Sequence, residues 1–407
     1  MNASNLSIRS ARLQSECSDE LVAIADWWVN HSQDHPQGGF YGEISVNNLP
    51  VKNANKGIIL NTRILWFFSE VAGVIETPAY RLAADRAYEY LCAHFVDKKF
   101  GGVFWELDVD GNPINTRKQV YAQAFAIYAL CAYYRLTTNS NALSLALNLF
   151  ELIETHAIDP QDQGYLEAFT REWKAIDDFR LSDKDLNYPK SQNTHLHVLE
   201  AYTSLYELVT TETIGTALRY SIEMFDHYMI DRKTNHLRMF MDMQWKDYSP
   251  GFTYGHDIEA VWLIAKALDV LGDKKYQDKL LPSLLSIAET NFEEGVAEDG
   301  RLKDAYDFKT KVVSNLSVWW VQAEALVGFL YAYSVTHDEK YFVAAENVWN
   351  FIKKYQIDSE NGEWLWASTL DAQPKEPYYK VGFWKCPYHN GRAMMEVGRL
   401  LKKQTPS

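Results

Sequence analysis

The chain has 407 residues, which is long enough to bury a large core and excludes a small disulfide-stapled fold. Hydrophobic residues make up 47% and charged residues 23%, a composition typical of a globular protein and not of a disordered one. The 54 acidic against 40 basic residues give a net charge of −14, which opposes binding to nucleic acid or to anionic lipid.

Cysteine usage and the amino-terminal segment bear on the compartment. The four cysteines are scattered and form no C-x-x-C pair, which argues against a zinc ribbon and against a redox motif. Residues 1–20 lack the apolar core of a secretion signal, and no run of about 18 apolar residues occurs. We therefore expect reduced thiols, a cytoplasmic location and no membrane partner.

Short segments of glycine or asparagine followed by aromatic or aliphatic residues recur along the chain. They are centred on Gly39, Gly102, Gly164, Asn235, Gly300 and Gly362, and successive segments are 62 to 71 residues apart. Six near-equal periods indicate a repeat architecture. Each segment is typical of a turn that enters a short extended stretch, such as Val103 to Asp108.

Between these segments the apolar residues recur at helical spacing, in two stretches per period. The twelve predicted helices are Ser18 to His31, Lys56 to Val74, Ala79 to Phe95, Val120 to Leu136, Ser140 to His156, Asn193 to Val209, Glu212 to Tyr228, Ile258 to Leu271, Lys275 to Phe292, Ser317 to Thr336, Lys340 to Gln356 and Asn390 to Lys402. The joints inside a pair are short, which makes the two helices antiparallel neighbours.

Six helical hairpins can stack as an open superhelix or close into a ring, and the spacing alone leaves both possibilities open. We predict an all-α fold, an (α/α)6 barrel of six helical hairpins, with short β-hairpin loops at one mouth. The even-numbered helices are expected inside and the odd-numbered helices outside. A single catalytic domain then covers residues 1–407, although the length alone favours two or three domains.

Polar residues suited to chemistry cluster at the starts of the even-numbered helices, where a ring brings them together. Asn193 and His197, like Trp320 and Glu324, are i,i+4 pairs that share one helix face. The candidates are Arg63 in helix two, Asn193 and His197 in helix six, His256 and Glu259 in helix eight, Trp320 and Glu324 in helix ten, and Trp384 to His389 immediately before helix twelve.

Each candidate also has a structural interpretation. Arg63 could pack its stem on apolar surface, and His197 could be a hydrogen-bonded core histidine. His195 and His197 lie two residues apart and point to different helix faces, which argues against joint metal binding. Glu259 and Glu324 would need arginine or protonated histidine partners, or a polar cavity.

The motifs that are absent narrow the chemistry further. The sequence contains no G-x-G-x-x-G, P-loop, G-x-S-x-G or H-E-x-x-H pattern, so dinucleotide, nucleoside triphosphate, serine esterase and zincin chemistry lack support. We predict acid/base chemistry with no cofactor and no metal.

Five blocks of sequence carry a specific resemblance. They are Asn61-Thr62-Arg63-Ile64-Leu65-Trp66, Asn193-Thr194-His195-Leu196-His197, Gly255-His256-Asp257-Ile258-Glu259, Trp319-Trp320-Val321-Gln322-Ala323-Glu324 and Trp384-Lys385-Cys386-Pro387-Tyr388-His389-Asn390-Gly391-Arg392. In this order they resemble the cellobiose 2-epimerases, a family within the N-acylglucosamine 2-epimerase superfamily. The resemblance extends over residues 18–402.

The resemblance implies an (α/α)6 barrel and a cofactor-free reaction that inverts C2 of the reducing-end glucose of cellobiose or lactose. The ring opens, the C2 proton leaves, and a cis-enediolate is reprotonated on its other face. His389 and His256 would be the acid/base pair, because imidazole accepts and donates protons near neutral pH. His197 would assist ring opening, and Arg63 would stabilise the enediolate charge.

The same resemblance gives roles to six further residues. Glu259 and Glu324 would orient the histidines or tune their charge, Tyr121 and Asn193 would hold hydroxyls, and Trp320 and Trp384 would stack on the two sugar units.

Three alternatives stay open. The first is a monosaccharide enzyme of the same superfamily, either an N-acylglucosamine 2-epimerase or a mannose-type aldose-ketose isomerase. The second is a glycoside hydrolase on the same barrel, with Glu259 and Glu324 about 5 to 9.5 Å apart across the scissile bond. The third is a non-catalytic sugar-binding or scaffold protein. The sequence also leaves open whether the protein is a monomer or a homodimer.

Overall fold

A computed structural model describes residues 3–371 and 378–402, and these residues contain twelve α-helices and fourteen short strands. The helices are α1 (Ala3–His31), α2 (Ile58–Val74), α3 (Pro78–Tyr90), α4 (Val120–Thr137), α5 (Ser140–His156), α6 (Gln192–Leu208), α7 (Glu212–Met224), α8 (Tyr254–Leu271), α9 (Lys274–Thr290), α10 (Trp319–Thr336), α11 (Glu339–Phe351) and α12 (Tyr388–Lys402). The strands are β1 (Ile44–Ser45), β2 (Lys56–Gly57), β3 (Glu106–Leu107), β4 (Pro113–Asn115), β5 (Lys118–Gln119), β6 (Ala168–Phe169), β7 (Lys190–Ser191), β8 (Ile230–Asp231), β9 (His236–Leu237), β10 (Phe240–Met241), β11 (Gly251–Thr253), β12 (Ala305–Asp307), β13 (Val312–Ser314) and β14 (Tyr379–Val381).

The even-numbered helices form a closed inner ring. Each contacts the next one, and α12 returns to contact α2. The odd-numbered helices pack outside, where α1 and α11 are joined by a hydrogen bond of 2.7 Å from the Trp349 indole N–H to Glu16. This arrangement confirms the predicted (α/α)6 barrel and the assignment of inner and outer helices.

The inner helices are apolar on nearly every face, because they lie between the barrel axis and the outer ring. In α2, for example, the run Ile58 to Ser69 is buried throughout. Among the described helices, none combines the length and the apolarity needed to cross a membrane.

The loops that lead from an outer helix to the next inner helix form a belt at one mouth. Neighbouring loops are joined by antiparallel pairs, β2 with β3, β5 with β6, β7 with β10 and β11 with β12. The first and last loops meet through β1 and β14, where Ile44 pairs with Val381. The belt therefore closes the ring a second time, at the mouth where the inner helices begin.

Three helices begin at least two residues earlier than the sequence predicts. Helix α1 begins at Ala3 and not at Ser18, because Leu13 and Cys17 continue the buried stripe of Leu21 one turn at a time. Helix α8 begins four residues early, at Tyr254. Helix α12 begins at Tyr388, so that His389 lies within its first turn and not before it.

The last turns of four outer helices also differ from a regular α-helix. A π-helical turn follows α3, α7, α9 and α11, and these turns cover Leu91–Phe95, Phe225–Met229, Asn291–Gly295 and Ile352–Gln356. Their hydrogen bonds join residues five apart, one more than in an α-helix, so the helix is wider at this end. Each of these π turns lies at the equivalent place, immediately before a belt loop. The four repeats are therefore alike in backbone geometry as well as in helix order.

A buried lysine–aspartate pair fixes the turn in four of the six repeats. Asp34 accepts the backbone N–H of Gln37 at 3.0 Å and the Lys56 ammonium at 2.8 Å, and both side chains are buried. The equivalent pairs are Lys118 with Asp97, Lys190 with Asp159 and Lys380 with Asp358. The strand before each of these inner helices is thereby tied to the preceding turn.

We predict that Lys56→Met destabilises the protein by about 3 to 5 kcal/mol, because it leaves the Asp34 carboxylate buried without a counter-charge. Urea unfolding measures the loss. Adding Asp34→Asn to this variant should recover part of the loss.

Lys274→Met is the matched control, since Lys274 and Asp278 form an ion pair with 76% and 64% of the side chains exposed. Its unfolding midpoint should stay at that of the parent protein. Equal losses for Lys56→Met and Lys274→Met would contradict the importance of the buried pair.

Candidate active site

A cavity of about 440 Å³ opens at the mouth that carries the loop belt. All the predicted site residues line it except Glu324, which is buried beneath it with 1% of its surface exposed. The lining residues from the prediction are Arg63, Tyr121, Asn193, His197, His256, Glu259, Trp320, Trp384 and His389.

Equivalent positions of the inner helices supply most of these side chains. The second residue of the helix is Tyr121 in α4, Asn193 in α6, Trp320 in α10 and His389 in α12. The sixth residue is Arg63 in α2, His197 in α6, Glu259 in α8 and Glu324 in α10. Positions four residues apart point the same way on a helix, so the ring brings both sets to the axis.

Helix α8 departs from this pattern at its second residue. A Cβ atom at Gly255 would lie 2.7 Å from the Trp320 ring, so only glycine fits there. The side chain that faces the cavity comes instead from the third residue, His256. Its ring lies 4.7 Å from the Trp320 ring, measured between centroids.

His256 and His389 both lie beside Trp320, and each has its Nδ1 atom engaged. The Nδ1 of His256 is 2.6 Å from Thr253 Oγ1, and the Nδ1 of His389 is 2.6 Å from Glu324 Oε1. In each ring the Nε2 atom makes no hydrogen bond within the described part of the protein and is available to a ligand. Burial lowers the pKa of His256 to about 3, with a further contribution from His197, and burial also lowers the pKa of His389. Both rings are therefore neutral in the ligand-free site.

Arg63 brings a positive charge to the cavity that no carboxylate in the described part of the chain neutralises. Its Nη2 donates to the Tyr121 hydroxyl at 2.8 Å, and its guanidinium carbon lies 4.3 Å from the Phe125 ring centre and 4.6 Å from that of Tyr388. The aromatic rings hold the guanidinium in place without cancelling its charge. The site is thus prepared for an anion.

A buried charge network lies under the cavity and is centred on Arg392. Its Nη2 donates to Glu259 and to Glu324 at 2.6 Å each, and its Nη1 donates to Glu200. Glu200 in turn lies 2.9 Å from the Nδ1 of His197. The Arg392 guanidinium is therefore hydrogen-bonded to three buried carboxylates. It is the cationic partner that the sequence analysis required for Glu259 and Glu324.

The three carboxylates differ in how strongly they hold a proton. Burial by itself would raise the pKa of Glu200, but Arg392 and the hydrogen bond with His197 outweigh it and lower the pKa to about 2. Burial raises the pKa of Glu259, and the adjacent Glu324 raises it further, in spite of Arg392. Glu200 is thus the firmly ionised member of the network.

One group of residues in the described part of the chain has the composition of a metal site. Glu259, Glu324 and His389 present ligand atoms within 4.8 Å of one another. The Arg392 guanidinium, however, is hydrogen-bonded to both of these carboxylates. A metal ion there would lie against a buried positive charge, so the residues do not fit a metal ion.

His195 has a structural role that its position in the repeat explains. Its Nε2 accepts the Tyr165 N–H at 2.9 Å, and its Nδ1–H donates to the Ser191 carbonyl at 2.7 Å. Gln123 and Gln322, also the fourth residues of their inner helices, accept the equivalent backbone N–H groups of the loops that precede those helices. His195 faces away from the cavity.

Several functional candidates were missing from the sequence prediction. The cavity is also lined by residues 181–185, Trp319, Trp366 and Tyr379, which lie in or beside irregular loops where no hydrophobic period exists. Glu200, Tyr388 and Arg392 were missing from the predicted site as well. For Glu200 and Arg392 the signal was available, since a charged residue in a helix assigned to the inner ring needs a buried partner.

We predict that Glu200→Gln lowers stability at pH 7 by about 3 kcal/mol, because the stabilisation from a carboxylate whose pKa falls from 4.5 to about 2 on folding is present above pH 4.5. This stabilisation is lost as the pH falls from 4.5 towards 2. Thermal unfolding between pH 2 and pH 9 measures it.

Glu259→Gln is the matched comparison and should behave in the opposite way. The pKa of Glu259 is raised, so its contribution favours folding below pH 4.5 and is lost as the pH rises through the raised pKa. The variant should therefore be at least as stable as the parent at alkaline pH. Equal losses in both variants at pH 8 would contradict the assignment of charges.

Comparison with known proteins is consistent with this fold and site. Residues 39–390 match the family model for N-acylglucosamine 2-epimerase. A cellobiose 2-epimerase from Bacteroides fragilis is 40% identical over 386 residues, which cover 95% of this chain and 98% of that protein. One from Ruminococcus albus is 40% identical over 388 residues, covering 95% of this chain and 97% of that protein.

A solved structure extends the likeness to the fold. The cellobiose 2-epimerase from Bacillus thermoamylovorans superposes with a TM-score of 0.90 at 38% identity, covering 96% of this chain and all of that one. These findings confirm the resemblance carried by the five sequence blocks. The chain belongs to the N-acylglucosamine 2-epimerase family and is an isomerase, a carbohydrate epimerase.

Proposed function

We propose that this enzyme inverts C2 of the reducing-end glucose of β-1,4-linked disaccharides, converting cellobiose to glucosyl-mannose and lactose to epilactose. The sugar ring opens, the C2 proton is removed, and the cis-enediolate is reprotonated on its opposite face. Substrate and product are isomers, so the reaction consumes no oxidant, reductant or group donor. We propose that it needs no cofactor.

The observation that carries the proposal is the pair of buried histidines that face one cavity with Nε2 unengaged. Removal and return of a proton on opposite faces of a planar enediolate need two groups, one on each side. His256 and His389 come from different helices and both lie beside the Trp320 ring, at centroid distances of 4.7 and 5.6 Å from it. Imidazole suits both directions of the transfer.

The two histidines exchange roles as the reaction runs in either direction. The neutral ring takes the proton from C2, and the other ring, protonated at Nε2, returns a proton to the opposite face. Glu324 lies against the Nδ1 of His389 and stabilises that ring when it is protonated. The number of protons is unchanged over the reaction.

Arg63 and His197 act on the substrate oxygens. The negative charge of the enediolate develops on oxygen, and the Arg63 guanidinium, a charge at the cavity wall with no carboxylate partner in the described residues, stabilises that oxygen. His197 has its Nδ1 held by Glu200, which leaves Nε2 to assist ring opening or to bind a sugar oxygen. Tyr121 and Asn193 hold hydroxyls.

The aromatic residues at the cavity favour a disaccharide over a single sugar. Trp320 lies beside both histidines and would stack on the reacting unit. Trp384, whose ring centroid lies 6.0 Å from those of Tyr121 and Trp105, would stack on the second unit. A volume of about 440 Å³ is in the usual range for a site of this size. The similarity to the two cellobiose 2-epimerases supports the same choice.

The geometry gives little support to a glycoside hydrolase. Such an enzyme needs two carboxyl groups that both reach the substrate. Glu259 and Glu324 share one guanidinium, and only Glu259 lines the cavity. The single domain, the cytoplasmic location and the choice between monomer and homodimer stay predictions.

We expect purified, chelator-treated protein to convert cellobiose in D₂O, without nucleotide, to glucosyl-mannose that carries deuterium at C2. The label enters because histidine protons exchange with solvent while the enediolate exists. NMR follows both products and label. Free glucose would indicate hydrolysis, a ketose product would indicate the isomerase alternative, and loss of turnover after chelation would contradict cofactor-free chemistry.

We expect His389→Asn and His256→Asn each to lower the rate of epimerisation by about 10² to 10⁴, because each removes one acid/base group. His195→Gln is the matched control, since glutamine fills the equivalent position in α4 and α10. It should keep its activity. Near-normal rates in either Asn variant, with the fold intact by circular dichroism, would contradict the acid/base roles.

A further inference from the structure

A second cavity, of about 470 Å³, lies among the later turns of the inner helices, at the mouth opposite the loop belt. It is as large as the candidate active site and shares no lining residue with it. Nothing in the proposed reaction uses it. Its volume is in the range of small-molecule sites in proteins.

The wall of the second cavity nearest the loop belt is made by ninth residues of the inner helices, and three of them are aromatic. These residues are Trp66 in α2, Tyr128 in α4 and Trp262 in α8. The rings of Trp66 and Tyr128 are stacked at 5.3 Å, and the Trp262 indole N–H donates to Glu324 at 3.0 Å. The second cavity therefore has an aromatic floor that is fixed by the charge network above it.

Polar groups at this floor have no partner within the described part of the protein. The hydroxyls of Tyr128 and Tyr331 line the cavity without a hydrogen bond to the described residues, where water or a ligand can reach them. The Trp66 indole N–H is buried without an acceptor among the same residues. Unsatisfied groups of this kind destabilise a folded protein unless a ligand or water pairs with them. The two hydroxyls at the cavity are free to bond to a polar molecule that enters it.

The charges around the cavity compensate one another. Arg135 pairs with Glu70 and Glu207, and Arg399 pairs with Glu70 and Glu396. Four acidic and four basic side chains line the cavity in all. Neither an anion nor a cation is favoured by such a balance, whereas a neutral ligand with many hydroxyls can bond to both signs.

We propose that this second cavity binds a neutral sugar of one or two rings, with its C–H face on the aromatic floor and its hydroxyls on Tyr128, Tyr331 and the charged rim. Sugars combine a flat apolar face with a polar edge, and the cavity offers both. The proposal does not depend on the reaction in the first cavity, because the two sites have separate linings.

The test uses protein labelled with 5-fluorotryptophan and titrated with methyl β-cellobioside, a neutral glycoside whose blocked reducing end prevents ring opening. The ¹⁹F signals of Trp66 and Trp320 are assigned from the signals that disappear in Trp66→Phe and Trp320→Phe. Each then reports one cavity. The Trp66 signal should shift and saturate as glycoside is added, with a midpoint concentration that differs from that of the Trp320 signal.

Two sets of variants show which cavity moves the Trp66 signal. The double variant Tyr128→Phe/Tyr331→Phe should lower the affinity measured from the Trp66 signal about tenfold, because two hydrogen bonds are lost. The affinity measured from the Trp320 signal should not change. Tyr134→Phe, a residue of α4 that does not line the cavity, should change neither curve. Trp384→Ala should weaken only the Trp320 curve.

Three results would overturn the proposal. The first is a Trp66 signal that stays in place at glycoside concentrations that saturate Trp320. The second is a Trp66 curve that follows the Trp320 curve in every variant, which would mean relay from the first cavity. The third is a shift of Trp66 with glucose 6-phosphate but not with the neutral glycoside, which would mean a site for anions.

Discussion

The Arg392 guanidinium is the interaction on which the rest of the site depends. Three carboxylates from α6, α8 and α10 point to the barrel axis, and without a shared cation their mutual repulsion and desolvation would prevent their burial. Arg392 comes from α12, the helix that closes the ring. Its hydrogen bonds therefore join the last repeat to three earlier ones and set the positions of the groups that hold His197 and His389.

The remainder of the architecture follows from one helical period repeated around a ring. Residues at the second and sixth positions of the inner helices line the candidate active site, and residues at the ninth position line the second cavity. The same period carried further along the helices produces the second cavity. The inner helices, although buried, thus present polar side chains to two separate cavities, one at each end of the barrel axis.

Equivalent positions in a repeat also separate structural from functional residues. His195 and His197 are indistinguishable by composition, yet His195 takes the place that glutamine has in α4 and α10, with the same backbone bond. His197 takes the place of Arg63 and Glu259, which face the cavity. Comparing equivalent positions of the repeats therefore distinguishes a structural histidine from one that faces the cavity, which neither residue type nor sequence neighbours can do.

The sequence by itself determined six hairpins, the inner and outer helices and the candidate residues at the helix starts, because these follow from spacing along one chain. It misplaced the start of α1 and put His389 outside α12, since helix ends depend on packing. Tertiary structure alone decided that the ring closes and that Arg392 neutralises Glu200, 192 residues away. It also decided which loop residues reach the cavity. Contacts between such distant residues leave no local periodicity, because only the closed ring brings them together.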